Sequence, residues 1–244
     1  VSSRTRGSEK SRKETLEAMR REQRAAERRK TLLFVGIAAV VALALVGVGT
    51  FGFLRERAND PASKPFTDFG VAAASASCDE VISEPASGSS VHVGPGTDQP
   101  DKTTVQYASA PPTSGEHFVD WDISGRNFYT SDDVPPVERL VHNLEHGYNI
   151  LWYDDSVLSD QRDVLEGLAT RAAAMDEAAG KIKVVPWDTS RGEFPEGKHV
   201  AFSHWGGGEE QMGHRQYCGE LSGEAFESFV KQYPRTDAPE PNAS

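Results

Sequence analysis

Cysteine is almost missing from these 244 residues: only Cys78 and Cys218 occur. No Cys-x-x-Cys pair exists, which excludes a thioredoxin-type redox site and a zinc ribbon. No Gly-x-Ser-x-Gly elbow is present, so Ser114, in a Ser-Gly turn, is not read as a hydrolase nucleophile. Internal repeats are absent. Basic residues become scarce after position 30. Residues 1–30 hold 11 of the 26 Lys and Arg and 5 of the 37 Asp and Glu, leaving 15 basic and 32 acidic residues for the remainder. Such a split suggests two compartments, and the acidic part would repel nucleic acid. Gly206-Gly207-Gly208 could cradle a phosphate, but Glu209 and Glu210 follow at once.

Long apolar runs are also lacking, with one exception. Thr31 to Leu54 carries no charge and is long enough to cross a bilayer. A cleaved signal peptide would have an apolar region of only about 7–15 residues, so the run is read as a retained anchor. Arg28, Arg29 and Lys30 place the N-terminus in the cytoplasm, near anionic headgroups, and everything after Leu54 outside. Ser75-Ala76-Ser77-Cys78 resembles a lipoprotein cleavage site but lies too far from the apolar run. The resulting division is a basic cytoplasmic segment (1–30), a transmembrane helix (31–54), a linker (55–77), a folded domain (78–234) and a disordered tail (235–244).

On the outer side of a membrane, Cys78 and Cys218 read as one disulfide. It would close a loop of about 140 residues, worth up to ~5 kcal/mol by chain entropy. The competing reading makes Cys218 a soft metal ligand beside Met212 and His214.

Within 78–234, short strands are expected near Ser90–Gly94 and at 103–107, 148–153, 181–187 and 199–205. Helices are expected at 137–146, 160–179 and 222–233, the last with Ser222 as N-cap. Strands and helices mix without strict alternation, so the fold class is α+β in a single small extracytoplasmic domain.

The chemistry points to histidine. Pro135 and Pro136 suit the start of the helix at 137–146, and Gly147 suits its end. His142 and His146 stand four apart on that helix, so both rings can reach one ion. His117 lies in the stiff loop Pro111-Pro112-Thr113-Ser114-Gly115-Glu116-His117, and His92 in a short strand. A closed site needs three or four ligands, and these four residues could supply them to copper or zinc. Whether His204, His214 and Met212 take part stays open. Met212 would tip the choice toward copper. His199 reads as a surface or strand-end residue. Glu145 completes His-x-x-Glu-His, the inverted zinc-protease pattern, in which it would be the general base. Glu220 or Glu224 would then be the third ligand. The plainer readings of Glu145 are a carboxylate that orients a histidine, or a salt bridge with Arg139.

The loop ending in His117 and Val141-His142-Asn143-Leu144-Glu145-His146-Gly147 together resemble the two hallmark motifs of the domain-of-unknown-function 3105 family. The likeness runs over roughly 78–233, with His92 and Arg215-Gln216-Tyr217-Cys218 as further shared features. It implies one N-terminal membrane helix and focuses attention on the histidines. It implies no activity. The expected function is therefore a membrane-anchored domain that holds a transition metal. The alternatives are a non-enzymatic accessory subunit of a membrane or envelope complex, and a zinc-dependent hydrolase.

Overall fold

The computed structural model describes residues 2–243. Val1 and Ser244, the ends of two expected segments, lie outside them. The chain divides into two compact units, Val1–Ala58 and Asn59–Ser244. The first is occupied by one helix, α1 (Ser2–Asn59). From Arg12 to Arg57 it is long and apolar enough to cross a membrane by length and composition, and none of its most apolar stretch is buried. The helix carries on through Arg55–Asn59, where a linker is predicted.

The second unit is α+β. Its five-stranded mixed sheet has the order β1 (Ile82–Pro85), β7 (Met212–Cys218), β6 (Val200–Gly206), β4 (Asn149–Tyr153), β5 (Ile182–Pro186). Only β4 and β5 run parallel. Side chains alternate across the sheet. Leu151, Tyr153, Val184 and Phe202 face one core with α3 (Asp155–Ala173) and α4 (Gly223–Gln232). Ile150, Trp152, Val185, Ala201 and Trp205 face a second core with α2 (Val137–Glu145). Leu140, Val141 and Leu144 fix α2 there, all fully buried and worth about 1.5–3 kcal/mol each. A separate parallel pair, β2 (His92–Val93) and β3 (His117–Phe118), lies beside α2.

Several predicted elements change. The expected strand at 103–107 is not one: Val105 N–H donates to the buried Glu138 carboxylate instead of to a neighbouring strand. α3 begins five residues early because Asp154 caps the N–H groups of Ser156 and Val157. β7 carries Gly213, His214, Arg215 and Gln216 in succession and so escapes a search for apolar runs, yet it pairs with β6 along its whole length. Residues 60–77 do not form a free linker. They make three 3-10 turns and bury Phe66, Phe69 and Ala76. Residues 235–243 are not a loose tail either. Ala238 is buried, and Glu240 N–H donates to the Glu145 carbonyl. The polar and small residues of these two segments predict a linker and a tail, whereas their few apolar side chains decide where they pack. Cys78 and Cys218 are joined by a disulfide, so Cys218 has no free thiolate to offer a metal.

Candidate metal centre

α2 follows directly on Pro136, its N-cap, whose fixed φ suits a helix start, and its C-cap His146 is followed by Gly147, whose φ of +88° ordinary side chains resist. It presents His142 and Glu145 toward β2 and β3. The register of that pair sets His92 beside His117. Gly88, at φ +77°, lies so close to Gly115 and Glu116 that a Cβ would clash. This close approach brings Ser89 and Ser90 to Glu145.

The ring centroids of His117 and His142 lie 4.6 Å apart, those of His92 and His117 4.9 Å, and those of His92 and His142 5.1 Å. One nitrogen from each ring and one Glu145 oxygen all lie within 4.8 Å of one another. Residues from three separate stretches of chain, β2, β3 and α2, thus meet at one point, on the α2 face of the sheet beside Trp205. This His/Glu group could hold a metal. His117 and Glu145 are fully buried, His142 nearly so, and His92 partly exposed.

The three buried donors are each held from behind. His117 Nδ1 lies 2.8 Å from the Gly115 carbonyl, and His142 Nδ1 2.7 Å from that of Phe118. A carbonyl only accepts, so both Nδ1 atoms carry the proton and a neutral ring keeps its lone pair on Nε2. Glu145 Oε1 accepts from Ser89 Oγ at 2.9 Å and Ser90 N at 2.6 Å. Its Oε2 sits 3.0 Å from His117 Nε2. Although close, these two buried atoms make no hydrogen bond with each other or with any other group. A lone pair facing a carboxylate repels unless a positive charge, a second ring proton or a metal ion, lies between them.

Burial, followed by the nearby His117 ring, pushes His142 down to about 4. Burial and the Lys181 charge push His146 to about 4. Burial alone would raise the Glu145 carboxyl, but a positive charge on the facing His117 ring and the Ser90 N–H pull it down to about 2. The two helix histidines are thus neutral and the carboxyl ionised at neutral pH, the states in which they ligate metals.

The remaining candidates go elsewhere. His146, at the C-cap of α2, packs its ring 4.5 Å from that of His142 and 4.7 Å from Trp121, and falls outside the tight group. His204 and His214 face each other across β6 and β7 on the opposite side of the sheet, stacked with Tyr233. His204 Nε2 is 2.5 Å from the Asp237 carbonyl, and His214 Nδ1 is 2.9 Å from Ser83 Oγ. Met212 stands two residues before His214 on β7 and so shares its face, across the sheet from the group. His199 pairs with Asp154 near the start of α3. Glu224 accepts from Ala73 N on α4, across the sheet from His142, and Glu220 lies beside Ala76. Arg139 pairs with Asp120, not with Glu145.

Residues 98–244, more than half of the chain, match a family model described as "Protein of unknown function (DUF3105)". The chain belongs to the DUF3105 family. The DUF3105 match takes in His117, His142, Glu145 and the packed C-terminal segment, but begins after His92 and Cys78. Residues 10–51 also match a model described as "Inhibitor of host cell division protein domain". That match spans only the basic and apolar parts of α1 and carries no argument about the folded unit. No curated protein and no solved structure matches the chain.

Acid should weaken the metal-free DUF3105 domain. Burial also pushes His204 down from 6.5 to about 4. The unfolded chain then binds more protons than the folded one between those values, so stability falls as pH drops from 6.5 toward about 4. Glu145 adds a further loss from 4.5 toward about 2. Urea titrations at several pH values should show a midpoint that declines through the upper window, with a shallower decline in His204→Gln. An unchanging midpoint would mean that these rings titrate normally.

Proposed function

We propose that this protein is a membrane-anchored metal-binding domain whose ligands are His92, His117, His142 and Glu145. One observation carries the reading: His117 Nε2 and Glu145 Oε2 are buried, 3.0 Å apart and without hydrogen bonds. The other ring nitrogen and the other carboxylate oxygen are already engaged from behind. Metal-ligating histidines and carboxylates have this kind of backing. Three imidazoles and a carboxylate suit a borderline divalent ion. Zinc fits better than copper(I), which favours sulfur ligands. Glu145 takes a ligand's place here, which leaves the hydrolase reading without its general base. The anchor is the apolar half of α1. Its basic flank supports a cytoplasmic N-terminus, and the disulfide suits an oxidising outer compartment.

Cobalt(II) replaces zinc in such sites and reports its own geometry. Titrating metal-stripped, purified protein with cobalt should raise intense visible bands that saturate at one ion per chain. Absence of bands together with no zinc retained after dialysis would overturn the proposal.

A further inference from the structure

The segment after α4 does more than fill space. It passes over the end of α2 and is tied on both sides of Glu240. His204 Nε2 meets the Asp237 carbonyl, and Gly207 N–H donates to the Asp237 carboxylate at 3.1 Å. Beyond Glu240, Lys181 Nζ donates to the carbonyls of Pro241 at 3.1 Å and Ala243 at 2.8 Å. The same ammonium holds the His146 carbonyl at 2.7 Å. Glu240 N–H itself donates to the Glu145 carbonyl at 3.0 Å, joining the strap to a residue of the inner group.

These ties hold the Glu240 carboxylate at His146, with Oε2 3.5 Å from Nε2. The His146 side chain is only 3% exposed and that of Glu240 44%, so the pair runs from the interior to solvent. His146 Nδ1 is buried without a partner. The His146 ring in turn lies 4.5 Å from that of His142, an inner donor. A carboxylate in water, a buried imidazole and an inner imidazole therefore form a continuous line.

We propose that His146 and Glu240 form an outer capture site through which a divalent metal ion reaches the inner group. The inference rests on the inner group being a metal site. The ion first binds Glu240 and His146. It then forms a bond to His142 Nε2 as its bond to Glu240 breaks, with no change in oxidation state. Two ligands hold an ion briefly, whereas four retain it.

The test uses the full chain in detergent, stripped of metal and mixed rapidly with cobalt(II). Loading of the inner group is read from the visible bands. Glu240→Gln should load about tenfold more slowly at low salt, the lower end of what a focusing charge contributes to an on-rate. Its final absorbance should equal that of the wild type. Glu196→Gln removes the same charge from an exposed position elsewhere and should load at the wild-type rate. In the wild type alone, raising salt should slow loading, because screening weakens capture by an exposed charge. Wild-type loading by Glu240→Gln, or a wild-type rate indifferent to salt, would overturn the capture site while leaving the inner site standing. No cobalt bands in the wild type would overturn both.

Discussion

Replacing His142 with glutamine should lower the affinity for zinc or cobalt by about a hundredfold or more. A structural zinc site is worth about 10–16 kcal/mol, so one of four ligands carries roughly 3 kcal/mol. His142 is a sharp test because it lies on a helix fixed by Leu140, Val141 and Leu144, none of them exposed. Glutamine fills similar space, so far-UV circular dichroism should be unchanged. A competition titration against a chelator of known affinity reads the effect. His204→Gln, across the sheet, should leave metal affinity as it is. Equal losses in the two variants would point to a general effect on folding, and the inner group would lose its special place.

The second large effect concerns stability. Lys183 is 1% exposed and lies on the α2 face of β5. Its ammonium meets the Asp122 carboxylate at 2.5 Å and the Arg126 carbonyl at 2.7 Å. Tyr129 donates to the same carboxylate, and Ser124 Oγ lies 2.6 Å from the Tyr129 hydroxyl. This network pins the irregular stretch around 119–130 to the sheet. Asn143, one residue from His142, joins it by accepting the Asp122 N–H. Asp122→Ala would strand a buried ammonium and should cost about 3–5 kcal/mol in urea unfolding. That is a large share of the roughly 5–15 kcal/mol that holds a domain together. Lys183→Met in the same chain should recover part of the loss, since it removes the stranded charge. A double variant no more stable than Asp122→Ala alone would mean that packing, not charge, sets the cost.

Local signals made some of this legible in the sequence. Paired prolines and a following glycine bracketed α2, and Ser222 marked the start of α4. The two histidine motifs singled out the parts of the chain that meet. What escaped depends on tertiary contact. The β2–β3 pair is two residues long on each side, too short for any periodicity, yet it sets His92 against His117. Glu145 stands three residues from His142 on one helix face, so its nearness was readable. Its role among the donors was not, because that depends on Ser89 and Ser90 taking its other oxygen. His146 shares the helical spacing but ends at the cap, against Trp121 and Glu240. The strap carrying Glu240 looked like a polar tail because its ties are mostly to backbone carbonyls, which leave no mark in side-chain composition.

The most direct test is an anomalous difference map from crystals of zinc-loaded protein, collected on both sides of the zinc absorption edge. One peak is expected about 2.0–2.2 Å from His117 Nε2, His142 Nε2 and a Glu145 oxygen, with His92 as the fourth ligand. A peak beside His204 and His214, or no peak in crystals soaked at saturating zinc, would contradict it.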